Sequence, residues 1–213
     1  MRHTSERVKG KNYRELAGRP LYHHIIRTLL ECQSVDRIVI DTDSPWIMDD
    51  ARRTFPQVTI LERPEHLRDG AISMNDVLLN DVGQVPADLY LQTHSTNPLL
   101  RSETIEQAIA AFAVAWPGHD SLFGVTRLQT RLWTAEGRPL NHDPSVLLRT
   151  QDLPPVYEEN SCIYLFDGDT FRRRRNRLGD RPLMFEIPPA EAVDIDEEID
   201  WRIVSALVTP GAS

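Results

Sequence analysis

Apolar residues recur along this chain with two different spacings, and each spacing predicts one kind of element. Repeats of three to four positions predict helices from Pro20 to about residue 30, from Pro45, and over 73–82, 102–116 and 197–208. Asp43 or Ser44 can cap the helix at Pro45. Short apolar runs predict buried strands over 37–40, 58–61, 89–92, 121–125, 162–166 and 183–187.

Predicted strands and helices alternate over most of the chain. This order predicts an α/β fold of Rossmann-like type, with a mostly parallel sheet and helices on both faces. A chain of 213 residues that is 40% hydrophobic suits one domain, 1–213. Residues 126–160 fit neither spacing and are predicted to form an insertion, in which a β-hairpin over 133–140 turns at Glu136 and Gly137.

Charge and cysteine usage exclude several classes of protein. A net charge of -8 argues against general nucleic-acid binding. Basic residues are nevertheless concentrated at 1–27, which indicates a local pocket for a small polyanion. Cys32 and Cys162 match neither a disulfide framework nor a metal site, which favours a reducing compartment. No apolar run is long enough to span a membrane and no signal peptide is evident, so we expect no membrane association and a cytoplasmic location.

The segment 1–18 is predicted to be a polar loop that can surround a triphosphate. Its basic and polar side chains are Arg2, Ser5, Arg7, Lys11 and Asn12, with a flexible glycine at position 10. Cationic groups and backbone N–H groups of such a loop neutralise phosphate oxygens. The alternative is a solvated basic surface loop, and the segment is not a Walker A motif.

In α/β nucleotide-binding folds the phosphate loop follows the first strand of the sheet. No strand precedes this loop, so we expect that strand to be absent from the chain. Either translation begins upstream in the native gene or another segment fills the central position. An N-terminally extended version is expected to be more stable.

Near the end of the chain, Asp194 and Asp196 stand two residues apart. On a short strand this spacing directs both carboxylates the same way, and paired carboxylates suit Mg²⁺. The alternative is that Asp196, Glu197 and Glu198 cap the following helix, where negative charge is favourable. We assign the two aspartates to metal and the two glutamates to the helix.

Three more blocks carry polar residues between these ends. They are Arg63-Pro64-Glu65-His66-Leu67 with Ala71-Ile72-Ser73; Leu91-Gln92-Thr93-His94-Ser95-Thr96-Asn97-Pro98-Leu99-Leu100-Arg101; and Arg149-Thr150-Gln151-Asp152-Leu153-Pro154 with Asn160-Ser161-Cys162-Ile163-Tyr164. With the basic loop and the paired aspartates, they resemble the cytidylyltransferases that activate sialic acids and related nonulosonic acids, which are relatives of the enzymes that activate Kdo. Lys11-Asn12 favours the sialic-acid branch. The chain differs from the family pattern in a longer segment with Asn97 before Pro98, and in Ser161 where a glycine is usual. The first difference indicates an acidic sugar other than ordinary sialic acid.

The resemblance implies a nucleotide-diphospho-sugar transferase fold and assigns roles residue by residue. Catalysis would involve Arg2, Lys11, Asp194 and Asp196, the last two as metal ligands. Nucleotide binding would involve Arg2, Ser5, Arg7, Lys11, Asn12, Arg63, Ala71 and Ser73. Sugar binding would involve Gln92, Ser95, Thr96, Arg149 and Asn160, with Arg149 facing the sugar carboxylate. Taken without the resemblance, Ser73 is a helix cap, Ser95 caps a polar turn, and His94 has no partner histidine for a metal site.

The implied activity is transfer of CMP from CTP to the anomeric hydroxyl of a sialic-acid-like sugar acid with release of pyrophosphate, a 2.7.7-type nucleotidyltransferase reaction. The resemblance also implies Mg²⁺ as the cofactor and a homodimer paired through 126–160. We expect the protein to be cytoplasmic and to serve polysaccharide biosynthesis. The alternatives are a relative acting on Kdo or another acidic sugar, and a non-catalytic sugar-nucleotide-binding protein. Trp116, Trp133 and Trp201 are predicted to be core residues. The four arginines at 172–175 are predicted to form a solvated helix face, and the alternative is that they contact an anionic ligand.

Overall fold

The structure is a computed structural model that describes residues 1–208. Its strands are β1 (Glu15–Leu16), β2 (Arg19–Pro20), β3 (Val39–Thr42), β4 (Thr59–Glu62), β5 (Leu89–Thr93), β6 (Ser121–Leu128), β7 (Val156–Asp167) and β8 (Pro182–Glu186). Its helices are α1 (Leu21–Glu31), α2 (Pro45–Thr54), α3 (Met74–Gln84), α4 (Ser102–Ala115), α5 (Gly168–Arg174) and α6 (Glu198–Val208). Short 3₁₀ turns occupy Lys11–Tyr13, Glu65–Leu67 and Thr150–Asp152.

The strands form three separate sheets. β1 and β2 make a small antiparallel ribbon, β3 and β4 pair in parallel, and the third sheet has the order β5-β7-β6-β8. In that third sheet β6 and β8 are parallel, whereas β7 is antiparallel to both β5 and β6. Three of its four strands therefore run the same way. β7 differs: it follows β6 through the irregular segment 129–155, which contains no α-helix, and it pairs with β6 antiparallel.

A groove of about 1100 Å³ separates the parallel pair from the four-stranded sheet. It lies between β3 and β5, which have no partner strand on that side among the described residues, although the Met1 amino group donates to the Asp41 carbonyl of β3. Its apolar lining includes Ile26, Ile40, Leu91 and Leu165. No segment within 1–208 supplies a strand to this position, as expected from the sequence.

Helix α1 packs on the sheets through an apolar face and forms part of the largest core. Leu21, Tyr22, Ile25 and Ile26 are buried, and Pro20 stands immediately before the first helical residue. Ser44 caps α2 by accepting a hydrogen bond from the Ile47 N–H at 3.3 Å, as predicted. The helix beginning at Pro20 was predicted by hydrophobic spacing, and the cap at Ser44 by standard capping preferences.

Three predictions about secondary structure are corrected. The predicted 133–140 hairpin is reduced to an isolated bridge between Trp133 and Pro139, although Gly137 does supply the turn. The segment 194–196 is extended but forms no strand; its Ile195 N–H donates to the Thr96 carbonyl at 2.9 Å instead. β6 and β7 extend into 126–160, so the irregular part of the predicted insertion covers 129–155.

Candidate active site

The amino-terminal loop and the late carboxylates meet at the mouth of the groove. Lys11 Nζ donates to the Ile195 carbonyl at 2.6 Å and lies 3.3 Å from Asp196 Oδ1. Arg7 reaches the same carboxylate oxygen at 2.9 Å. The Lys11 side chain is mostly buried, which strengthens its electrostatic contacts relative to those of an exposed lysine. Residues 184 or more positions apart therefore form one charged cluster, as the sequence reasoning required.

Asp194 lies beside this cluster and is only partly exposed. Burial is the main cause that raises the pKa of its carboxyl; the Thr96 hydroxyl opposes the rise and the Asp196 charge adds to it. Its Oδ1 atom is buried without a hydrogen-bond partner in the described chain. A buried carboxylate oxygen that lacks a donor is the position that a cation would fill.

The donor set fits Mg²⁺ more closely than a transition metal. Within residues 1–208 no three histidine, cysteine, aspartate or glutamate side chains cluster at metal-binding distance. Mg²⁺ commonly uses one or two carboxylates and completes its shell with water and phosphate oxygens. Asp194 and Asp196 match that requirement.

Asp200, rather than the acidic residues before it, caps helix α6. Its Oδ2 accepts hydrogen bonds from the N–H groups of Asp196 at 3.0 Å and Glu197 at 2.7 Å. Glu198 instead forms an exposed ion pair with Arg14 at 2.7 Å. The Asp196 side chain is therefore not needed for capping and faces Lys11 and Arg7.

Asn12 and Ser95 connect the amino-terminal loop to the end of β5. Ser95 Oγ donates to Asn12 Oδ1 at 2.7 Å, and Asn12 Nδ2 donates to the Arg2 carbonyl at 2.9 Å. Asn12 is buried. These bonds explain why the loop has a defined shape without regular structure. The Asn12 amide and the Ser95 hydroxyl thus bond to other protein groups, so both side chains stabilise the shape of the site.

Arg63 lies at the groove in a buried ion pair. Its Nε donates to Asp41 Oδ1 at 2.6 Å. Asp81 on α3 is close to the same carboxylate, and burial together with the Asp41 charge raises the pKa of Asp81 to about 7. The sequence selected Arg63 but neither aspartate, because Asp41 reads as a turn residue and Asp81 as one polar position of a helix.

The segment 69–73 contributes less directly than predicted. Ser73 caps α3, accepting from the Asn75 N–H at 3.2 Å, which agrees with its alternative interpretation. Ala71 is exposed, and its N–H donates to Asp69 Oδ1 at 2.8 Å. Neither residue lines the groove. Gly70 does, and a side chain at Gly70 would lie 2.5 Å from Arg2 NH1, so the glycine leaves room for that guanidinium.

The end of β5 carries a chain of polar side chains. Gln92 Nε2 lies 3.0 Å from His94 Nε2, and Gln92 Oε1 accepts from Arg177 NH1 at 2.9 Å. Burial lowers the pKa of His94 to about 4, with the Arg177 charge as the next cause. His94 is therefore a neutral imidazole at pH 7. Thr96 lines the groove and touches Asp194.

Arg149 and Asn160 do not line the groove. Arg149 is exposed and forms a two-point ion pair with Asp152, at 2.7 and 3.1 Å. Asn160 supports an irregularity in β7: Nδ2 donates to Thr126 Oγ1 at 3.1 Å, and Oδ1 accepts from the Cys162 N–H at 3.2 Å. Ser161 has a φ of 58°, which explains why a glycine suits this position.

The remaining candidates have ordinary structural roles. The arginines 172–175 are exposed and paired with Asp169, Asp180 or Asp76, which confirms the solvated-face interpretation. Trp201 is a buried core residue, as predicted. Trp116 and Trp133 are about half exposed, so they are not core residues. No helix within 1–208 combines the length and apolar character needed to cross a membrane.

Comparison with known proteins gives similarities over almost the whole chain. The cytidylyltransferase family model matches residues 1–197. N-acylneuraminate cytidylyltransferase from Oncorhynchus mykiss is 26% identical over 211 residues, which covers 96% of this chain and 48% of that protein. CMP-N,N'-diacetyllegionaminic acid synthase from Legionella pneumophila is 27% identical over 216 residues, covering 96% of this chain and 91% of the relative. The chain thus spans about half the length of the fish enzyme.

A solved structure supports the same fold. CMP:2-keto-3-deoxy-manno-octonic acid synthetase, complexed with CTP, aligns with a TM-score of 0.72 and 17% identity, covering 97% of this chain and 95% of that one. This likeness shows that the two chains share a fold. The match of the family model over residues 1–197 shows that the chain belongs to the cytidylyltransferase family.

Proposed function

We propose that this chain transfers CMP from CTP to the anomeric hydroxyl of a sialic-acid-like, nonulosonic sugar acid and releases pyrophosphate. The contact of Lys11 and Arg7 with Asp196 carries the proposal. It puts a loop suited to a triphosphate beside carboxylates suited to a divalent cation. The names of the sequence relatives, which act on N-acylneuraminate and diacetyllegionaminic acid, support the sugar class.

Three cations would bind the triphosphate. Arg7 and Lys11 already lie at the carboxylate cluster, and Arg2 lies beside Gly70 at the groove. Phosphate oxygens would compete with Asp196 for Lys11 and Arg7, so the cations would be shared between protein and nucleotide. This sharing would hold the nucleotide in place while neutralising its charge.

The reaction then consists of one displacement. The sugar hydroxyl oxygen bonds to the α-phosphorus, the bond from that phosphorus to the β-phosphate oxygen breaks, and the hydroxyl proton is released. Arg2, Arg7 and Lys11 would stabilise the negative charge that moves onto the departing pyrophosphate. Asp194 and Asp196 would hold Mg²⁺, which would supply further positive charge for the triphosphate.

We further propose a cytoplasmic homodimer that serves polysaccharide biosynthesis. Both cysteines are free and buried, which fits a reducing compartment. The segment 129–155 exposes several large apolar side chains: Trp133, Leu140, Val146, Leu147 and Leu148. Such a cluster is typical of a protein interface. Sedimentation analysis that found only monomers at micromolar concentration would argue against the dimer.

Substitution of the carboxylates tests the reaction. Asp194→Asn and Asp196→Asn should each lower pyrophosphate release from CTP by on the order of 100-fold, since each removes a charge that would bind the metal. N-acetylneuraminate and N,N'-diacetyllegionaminate serve as acceptors. Asp169→Asn is the matched control, because Asp169 is fully exposed on α5. Wild-type rates in both active-site variants would refute the metal assignment, and no release by the wild type with either acid would refute the reaction.

A further inference from the structure

Arg177 is a partly buried cation without an ion pair to any carboxylate within the described residues 1–208. Among residues 1–208 it forms no ion pair within 4.0 Å, although most arginines near it do. Desolvation lowers its pKa, but a guanidinium remains charged at neutral pH. A cation withdrawn from water normally has an anionic partner, so its isolation indicates a ligand that is negatively charged.

Arg177 is held in place through both its side chain and its backbone. The guanidinium stacks on the ring of Tyr164, with the central carbon 3.6 Å from the ring centroid, and Tyr164 is fully buried in β7. The backbone N–H of Arg177 donates to Asn75 Oδ1 at 3.1 Å, which ties the segment to α3. The negative charge of Glu159 acts on Arg177 without an ion pair between them and favours its charged form. The Glu159 carboxylate accepts a hydrogen bond from the Tyr164 hydroxyl. The arginine is therefore rigidly placed without being neutralised.

Hydrogen bonds from Arg177 set the direction of the neighbouring amide. An arginine can only donate, so Gln92 must present its oxygen to Arg177 at 2.9 Å. The Gln92 amide nitrogen then faces His94 Nε2, which must accept at 3.0 Å. His94 therefore carries its proton on Nδ1. We term Arg177, Gln92 and His94 the donor wall. The acceptor atoms Gln92 Oε1 and His94 Nε2 are used within the trio, so the polar groups that remain for a ligand are N–H donors.

We propose that the donor wall binds the carboxylate of the acidic sugar, with Arg177 as the residue that determines specificity for it. The inference rests on the proposed function and refines it. Gln92 and His94 both line the groove, and Arg177 lies one hydrogen bond beyond Gln92. Carboxylate oxygens accept several hydrogen bonds and pair with a guanidinium at two points. Arg149, in contrast, already forms a two-point ion pair with Asp152.

Two substitutions separate this role from a structural one. Arg177→Met should raise the KM for N-acetylneuraminate by about 100-fold and leave the KM for CTP within about twofold, while Arg177→Lys should restore part of the loss. Gln92→Glu supplies Arg177 with a carboxylate of the protein. This variant should melt no lower than the wild type and yet bind the sugar acid at least ten times more weakly, because it repels the sugar carboxylate. Arg173→Met, on the exposed face of α5, is the control and should match the wild type.

The methyl ester of the same sugar completes the test. The wild type should prefer the acid to the ester, and Arg177→Met should treat the two alike. The donor-wall proposal is wrong if esterification lowers kcat/KM equally in both proteins, or if Arg177→Met leaves the KM for the sugar acid unchanged. Either result would leave the proposed reaction intact. If the wild type releases no pyrophosphate with either sugar acid named above, the proposed function fails first and the donor wall with it.

Discussion

Asp81 offers a test in which replacing a buried charged residue should stabilise the protein. It lies on α3 near Asp41, whose Oδ1 is paired with Arg63 and whose Oδ2 is buried without a partner in the described chain. Burial and the Asp41 charge raise the pKa of Asp81 to about 7. When protonated, Asp81 can donate a hydrogen bond to Asp41, and this contact contributes to the raised pKa.

The sign of the effect follows from proton binding. The unfolded chain releases the Asp81 proton near pH 3.8, whereas the folded chain holds it until about pH 7. The folded state binds more protons between these values, so the contribution of Asp81 to stability falls as pH rises through that window. A shift of about three units would correspond to about 4 kcal/mol, and because Asp81 is partly solvated we expect about 2 kcal/mol.

Asp81→Asn should remove this penalty. The amide can donate to Asp41 Oδ2 at every pH, as the protonated acid does in the wild type. We expect the variant to be about 2 kcal/mol more stable at pH 8, which corresponds to a rise in Tm of roughly 4–8 °C, and about equal to the wild type near pH 4. Urea unfolding followed by circular dichroism at several pH values gives the difference curve. Titrating groups that do not act on Asp81 are common to both proteins and cancel; the amino terminus and Asp41 act on it, so their contribution is part of the measured difference.

A neighbouring residue provides the control. Asp76 is also on α3 but is exposed and pairs with Arg175 at 3.3 Å, so Asp76→Asn should change the free energy of unfolding by less than about 0.5 kcal/mol. The reasoning is refuted if Asp81→Asn is less stable than the wild type at pH 8. It is equally refuted if the difference between the two proteins does not vary with pH.

Two further predictions concern the groove. Burial lowers the pKa of His94 to about 4, so the stability that this residue contributes is lost as pH falls from 6.5 toward 4. His94→Gln should therefore lose less Tm than the wild type between pH 7 and pH 4.5. An equal drop in Tm in both proteins would contradict this prediction. Gly70→Ala would place a methyl group 2.5 Å from Arg2 NH1 and force this flexible guanidinium to move, so we expect the KM for CTP to rise several-fold with little change in Tm. An unchanged KM would show that nucleotide binding does not depend on the present position of the guanidinium.

Helix and strand positions were largely predictable because hydrophobic spacing is a local property. α4 was predicted at 102–116 and spans Ser102–Ala115, and β5 was predicted at 89–92 and spans Leu89–Thr93. The antiparallel direction of β7 was not predicted. Strand direction depends on which strand the chain returns to, and that choice is not recorded in the residues of the strand itself.

The candidate site was predicted unevenly for a similar reason. Motif spacing selected Lys11 and Asp196, which meet in the structure. It also selected Arg149, which faces Asp152 instead, and it missed Arg177, which stands among arginines that are ion-paired on the surface. An isolated motif shows which chemistry a side chain can perform, but it does not show which other side chain has already neutralised it.

The sequence by itself determined the order of helices and strands, the basic character of the first loop and the late pair of aspartates. Only the tertiary structure decided that these ends meet across more than 180 residues, that β3 and β5 border an open groove, and that Arg177 forms no ion pair with the carboxylates of residues 1–208. Periodicity and capping act over a few residues, whereas partners for buried charges are chosen by packing between distant segments. The first can be read along the chain; the second exists only once the chain has folded.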